Sequence, residues 1–129
     1  MGLYPKNLNE YVAGMGLPRG PKSNVFLVDT VNGSDSNTGT SWRWPLKSLE
    51  AAEDKCVADQ HDVVLFLAGD SANNPTASIA WDKDYTHLIG VGCDLYGQGQ
   101  RCRVVMKAAT AVTPVITFSG NGCIVKHMQ

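Results

Sequence analysis

Charge is what this chain has least of. Its 129 residues include 11 Lys and Arg against 12 Asp and Glu, 18% charged in all, with a net charge of -1. Soluble domains carry roughly 25%. Nucleic-acid binding rests on clustered Lys and Arg, so a nucleic-acid partner has no electrostatic basis here. No apolar run approaches the ~18 residues of a membrane span, and none is expected. The opening MGLYPKNLNEYVAG has no apolar core of a secretory signal, so synthesis in the cytoplasm is expected. The four cysteines, Cys56, Cys93, Cys102 and Cys123, form no C-x-x-C pair, against a zinc ribbon or thioredoxin motif. Free buried thiols are predicted for a chain made in a reducing compartment, although Cys93 and Cys102 could meet across a turn.

Catalytic signatures are also missing. There is no Ser-x-x-Lys, G-x-S-x-G or Walker loop. His61, His87 and His127 stand far apart without metal-ligand spacing. Most carboxylates fall in loops or on the outer face of the predicted helix, and none forms a recurring column on a strand. The stretch GQGQR, Gly97 to Arg101, is Gly-rich but opens no helix, which weakens a phosphate-binding reading. No catalytic residue, metal or cofactor is expected.

What is present is turn chemistry and a core. Thirteen glycines and six prolines mark many turns, and 43% hydrophobic content is enough for one domain with a real interior. Residues 1–24 read as an extended arm. Leu8 to Val12 could form one helical turn, but Gly14, Gly16, Pro18, Gly20 and Pro21 forbid regular structure after it. Tyr4, Leu8, Tyr11, Val12, Met15 and Leu17 make the arm more apolar than a solvated tail needs. It is therefore expected to dock on a partner, the alternative being a loose terminus.

Residues 25–129 read as the folded part. NVFLVDT (24–30) is a strand. The polar loop after it, with turn signals at Asn32-Gly33 and Asn37 to Gly39, leads through Trp42, Trp44 and Pro45 into a short helix from about 46 or 48 to 58. Pro45 suits a first helical turn and Ser48 an N-cap. Leu49, Ala52 and Cys56 make one apolar stripe. Thereafter 62–70, 85–92, 101–108, 115–120 and 123–129 read as strands, with a weaker one ending at Trp81. A single helix excludes an alternating β/α sheet, leaving an antiparallel sandwich or a parallel β-helix. Continuous apolar runs such as VVLFLAG and HLIGVG indicate burial on both faces, as in parallel sheets. The first rung of such a stack must be covered. Leu46, Leu49, Ala52 and Cys56 are predicted to plug that end, with Trp42 and Trp44 packed at the rim.

The stretch FLVDTVNGSDSNTGTSWRWPLKSLEAAEDKCVADQHDVVLFLAGD resembles the amino-terminal lead-in of pectin-lyase-like right-handed parallel β-helix proteins. That lead-in has a strand, a polar loop N-G-S-D-x-N-x-G-T, and then P-x-x-S/T-apolar-x-x-A. Asn32, Gly33, Ser34, Asp35, Asn37, Gly39, Thr40, Pro45, Ser48, Leu49 and Ala52 match it. The likeness covers 25–70 well and the remainder loosely. It implies an all-β fold: the first rungs of a right-handed parallel β-helix, with the arm and a short capping α-helix. The same lead-in precedes lyases, glycosidases, adhesins and phage structural proteins, so it specifies fold more than function.

The arm is similar to tails that anchor virion proteins of tailed bacteriophages. That similarity implies a non-catalytic virion structural protein, made in the host cytoplasm: the anchoring end of a fibre, spike or capsid decoration. The expected state is a homotrimer, bound to capsid or tail proteins through the arm. The alternative is the amino-terminal piece of a carbohydrate-active β-helix depolymerase, a lyase or hydrolase whose active site lies outside this chain and meets a host-surface glycan.

Two ligand readings of the loop compete with structural ones. Asp35 to Gly39 invites a calcium loop, but an EF-hand needs Glu at its twelfth position, and counting from Asp35 reaches Leu46. Asx-type turns are the better expectation. Trp42, Trp44 and Trp81 could line a sugar platform, although packing is expected of them.

Overall fold

The computed structural model describes residues 8, 12, 16–67, 78–91, 116–126 and 128. Within them the chain runs β1 (Val25–Val28), α1 (Leu49–Lys55), β2 (Asp62–Leu67), β3 (Ile79–Trp81), β4 (Thr86–Val91), β5 (Ile116–Phe118) and β6 (Val125–Lys126). Leu8 and Val12 are helical. The predicted strand 101–108 lies outside the described residues.

Among the described residues the regular structure is mostly strand, consistent with an all-β class, with α1 packed on the sheets, and every strand pairing is parallel. One sheet has the order β1-β2-β4-β6 and a second pairs β3 with β5. Successive strands from β2 to β6 alternate between the two sheets. Val63 lies beside His87 and Leu67 beside Val91 in parallel register, which overturns the antiparallel sandwich. Parallel strands need crossovers rather than hairpins, and β3 lies within the crossover from β2 to β4.

Strand periodicity divides the first sheet's side chains between two cores. Phe26, Val28, Val64, Phe66 and Leu88 pack with Ile79 and Trp81 of the second sheet and with Leu46, Leu49, Ala52 and Cys56. Val25, Leu27, Val63, Leu65, Ile89 and Val91 form the opposite face, covered by Leu8 and Val12 with Leu17 and Trp42 beside them. The continuous apolar runs therefore reflect two covered faces. The second cover comes from the segment before β1.

Helix α1 begins after Ser48, whose extended backbone and hydroxyl, accepting from the Ala51 amide at 3.3 Å, form the N-cap. Glu50 in the first turn and Lys55 in the last match the helix dipole. The helix takes the later of the two predicted starts because Leu46 is extended and bridges Val28 in parallel, and it stops short of 58 because Cys56 is already extended. Leu46 thus enters the inner core as an added strand residue, while Leu49, Ala52 and Cys56 reach that core from the helix and its C-cap. The two final strands are also shorter than expected, and both are partly or well exposed.

Two outcomes follow. Leu8 is 1% exposed and Val12 is 0% exposed, so Leu8→Ala should cost about 2–5 kcal/mol, read from the urea midpoint; a change below about 0.5 kcal/mol would mean that the segment does not dock on the sheet. Burial, with Asp62 nearby, pushes the Cys56 thiol up to about 12. Cys56 should stay unlabelled by iodoacetamide at pH 8 in the folded chain and label once urea unfolds it, as peptide mass mapping would report.

Candidate functional site

The polar loop is built around the outer edge of β1. Leu27 donates its amide to Gly39 O at 2.7 Å and accepts from the Leu46 amide at 2.9 Å, and Asp29 N donates to Leu46 O at 2.8 Å. The loop backbone is thus laid on the strand edge. Asp29 Oδ1 accepts from the amides of Val31 and Asn32 at 3.0 and 3.1 Å, and Asn32 Nδ2 donates to Asp29 Oδ2. Gly33 donates to Asp29 O at 2.8 Å. A Cβ at Gly33 would run into the backbone oxygens of Leu46 and Asp29.

Asp35 ties this loop to the start of the helix. Its Oδ1 accepts from the amides of Lys47 and Ser48 and its Oδ2 from the Ser48 hydroxyl, all at 2.9 Å. Asn37 Nδ2 and Ser34 N both donate to Pro45 O, at 2.8 and 3.1 Å. Gly39 has φ +74°, and a Cβ there would sit 2.7 Å from the Leu46 side chain. Leu49 is buried in the inner core. The motif residues Asn32, Gly33, Asp35, Asn37, Gly39, Pro45, Ser48 and Leu49 are thus brought together by backbone hydrogen bonding and packing. Both Asp35 oxygens are engaged by the chain's own donors, the Asx-type chemistry expected instead of a calcium loop.

The tryptophans do not share a face. Trp81 is wholly buried in the inner core, where its Nε1 donates to Thr86 Oγ1 at 2.8 Å. Trp42 packs against the outer core, and Trp44 is 52% exposed beneath the Arg43 guanidinium. A platform made of all three indoles is excluded. Of the arm residues, Leu8 and Val12 are buried against the chain's own sheet and Leu17 packs beside them. Tyr4, Tyr11 and Met15 lie outside the described residues.

A second arrangement stands at the corners that lead into the first sheet. The register sets Asp62 beside Thr86 and Leu88 beside Val125. Carried back along the chain, it aligns His61, Tyr85 and Gly122. All three have positive φ, at 58°, 54° and 66°. The corners are laddered: Asp59 N donates to Asp84 O at 2.9 Å, Tyr85 N to Asn121 O at 2.8 Å, and Asn121 N to Asp84 Oδ1 at 2.7 Å. A Cβ at Gly122 would strike the Tyr85 ring, so this glycine allows the corners to stack.

His87 lies just inside these corners, completely buried. Its Nδ1 accepts from the Ile124 amide at 3.1 Å, and its Nε2 lies 3.1 Å from His61 Nδ1. An imidazole nitrogen that accepts from an amide carries no proton. Neutral His87 therefore holds its proton on Nε2 and donates it to His61 Nδ1. A metal between the rings would need that Nε2 lone pair and would leave a protonated Nδ1 facing the Ile124 N–H. The pair is unsuited to a metal, and among the described residues no group of three or more His, Cys, Asp or Glu could hold one. Burial, then His61 and then Arg19, hold the His87 pKa below its ordinary 6.5.

Comparison with protein-family models, curated proteins and solved structures gave no match. The side chains themselves therefore carry the functional argument.

One further charged contact joins the helix to the turn between β3 and β4. Lys83 Nζ donates to Glu53 O at 2.5 Å and lies 3.5 Å from Glu53 Oε1. Burial nevertheless raises the Glu53 carboxyl above its ordinary value, outweighing the attraction of Lys83. Neither the His61–His87 pair nor the corner column was expected from sequence. Their one signal is a polar corner before each strand, DQHD, KDYT and GNGC.

Removing the pin should loosen the cap. Asp35→Ala leaves three donors without their acceptor and should cost about 1–3 kcal/mol, with Asp35→Asn costing less because one oxygen remains. Gly33→Ala should cost at least about 2 kcal/mol, since its Cβ meets backbone rather than a movable side chain. Guanidinium midpoints measure all three, and equal stability of wild type and Gly33→Ala would contradict the loop geometry.

Proposed function

We propose that this chain is a structural module: the capped first rungs of a right-handed parallel β-helix, serving as the anchoring end of a tailed-phage fibre, spike or capsid decoration. The observation that supports this is the use made of the loop's polar atoms. Asp29, Asp35, Asn37 and Ser48 spend their hydrogen bonds on the backbone and side chains of the loop and helix start themselves, closing the β1 edge and starting α1. A side chain committed to its own chain in this way is positioned to hold a fold and poorly available to a substrate.

The alternation of parallel strands between two sheets fits successive coils of one β-helix. The handedness follows the general rule for parallel crossovers, which are right-handed in about 98% of cases. Capping at β1 leaves growth in one direction, past β5 and β6, where Phe118 and Val125 are each 43% exposed. Symmetric assembly is the commonest way to supply partners to such a module, and a homotrimer is the proposed state. Tyr4, Tyr11 and Met15 are the proposed contacts to a capsid or tail protein. Leu8 and Val12 serve the fold.

Immunogold labelling of particles purified from a lysate that contains the protein should place the chain on the virion, with light scattering of the soluble chain giving three copies. Its absence from purified particles, with the chain abundant in the lysate, would overturn the virion role. Fragment-sized products on incubation with host capsule or pectin-like polymers would move it to the depolymerase class.

A further inference from the structure

The His61–His87 pair lies at the junction of three successive corners and bonds across them. We propose that it is an acid-labile latch: it holds the strand lead at Ile124 to β4 while His87 is neutral, and releases it when His87 takes a proton.

The bond order fixes this behaviour. The hydrogen-bond chain runs from Ile124 N–H to His87 Nδ1, and from His87 Nε2–H to His61 Nδ1. Each acceptor nitrogen already faces a donor. A proton added to His87 Nδ1 would set N–H against the Ile124 N–H. Neutral His87 has both ring nitrogens partnered, and its protonation breaks one bond in a buried place, where an unsatisfied donor is costly. The two rings stack at 5.4 Å between centroids, so a charge on one also opposes a charge on the other.

The surroundings push the same way. From the segment before β1, Arg19 bears on His87 and disfavours its charged form, as does His61 from the β2 corner. Tyr85 of the β4 corner lies against the outer side of the His61 ring, 5.3 Å between centroids. The neighbouring carboxylate, Asp62, is turned away to the amides of Asn24 and Val57. On the β6 side the facing group is the Ile124 amide, and the adjacent Cys123 thiol donates to Lys83 O at 3.4 Å. Because the folded-state pKa of His87 is depressed, its contribution to stability is present above the ordinary 6.5 and lost as pH falls below that value through the folded one.

What the latch holds is the weakest pairing in the sheet. β6 is two residues long and exposed, and it pairs with β4 through Leu88↔Val125 and Ile89↔Lys126. Beyond these, Leu88 N donates to Ile124 O at 2.9 Å. Loss of the Ile124 anchor should therefore free β6 locally and leave β1, β2 and β4 paired.

The test uses the full chain labelled with nitrogen-15. Long-range proton–nitrogen spectra at pH 7.5 should show His87 protonated on Nε2, and a proton on Nδ1 would overturn the proposal. Amide exchange at pH 7.5 and 5.5, corrected for the intrinsic pH dependence, should show the protection of Ile124 falling by up to about tenfold per pH unit below 6.5, the limit for one coupled proton. Val64 and Leu65 should keep theirs. Unchanged protection at Ile124 would sink the latch, as would equal loss at Val64, which would mean global unfolding. His87→Asn places an amide oxygen near the Nδ1 position without a titrating group and should abolish the pH dependence at Ile124; its persistence in that variant would reject His87 as the origin. If His87→Asn does not fold at pH 7.5, the tautomer and exchange data on the unaltered chain decide.

Discussion

The outer edge of β1 is the constraint on which the rest of the structure depends. A parallel sheet ends in a strand with one row of amides and carbonyls unpaired, and such a row recruits whatever strand it meets. Here residues 39 and 46 of the same chain supply the missing partners, bonding Leu27 on both its N–H and its C=O. To lay two separated points of one loop on one strand, the chain must fold back tightly in between. Gly33 and Gly39 permit the close approach, and Asp35 locks the returning end by binding the Lys47 and Ser48 amides. Ser48 then starts the helix whose Leu49 and Ala52 enter the inner core. Edge protection and core closure are therefore a single device, and a polar loop is its natural material because its side chains must hydrogen-bond backbone that no neighbouring strand satisfies.

The corners show a different balance. A non-glycine residue at positive φ costs of the order of 1–3 kcal/mol when nothing compensates, and His61 and Tyr85 are both bulky. Their cost is offset along the stack. The corner backbones bond to one another, the His61 ring packs between Tyr85 and His87, and Gly122 removes the Cβ that would block the Tyr85 ring. His61 and Tyr85 turn the chain immediately before β2 and β4, and Gly122 turns it three residues before β6, so the aligned corners and the strand register support each other. A change in one corner is thereby felt in the next.

The strands β2 and β4, the parallel pairing and the Ser48 cap were legible because each depends on local pattern: unbroken apolar runs, one helix, and a serine placed before an apolar stripe. The helix start stays open between 46 and 48 on sequence, because Pro45 suits a first helical turn and Ser48 an N-cap, so Leu46 is left between helix and loop. Its true role, bridging Val28, depends on a strand edge eighteen positions earlier (28 to 46), which no local window contains. The arm's excess of apolar residues was also legible, but their destination was not. An unbroken apolar strand requires a cover on each face. The second sheet covers one, and Leu8 and Val12 cover the other from within the same chain. The histidine pair was hidden for the same reason as Leu46: His61 and His87 meet only through the β2–β4 register.

That register also explains why a histidine at this position is informative. His87 stands beside Val63 on one side and, by continuation of the β4–β6 register, level with Ile124 on the other. It thus interrupts an aliphatic column on the outer core face. A valine or isoleucine there would bury apolar surface without any need for partners. An imidazole must find a donor and an acceptor at fixed positions or leave a buried polar atom unsatisfied. It finds both, and in doing so it specifies the alignment of three corners more narrowly than an aliphatic residue would. A one-residue slip of β4 would turn His87 to the opposite face, away from His61 and Ile124 together. Apolar burial gives this sheet its stability, while the satisfied histidine makes one register far better than its neighbours.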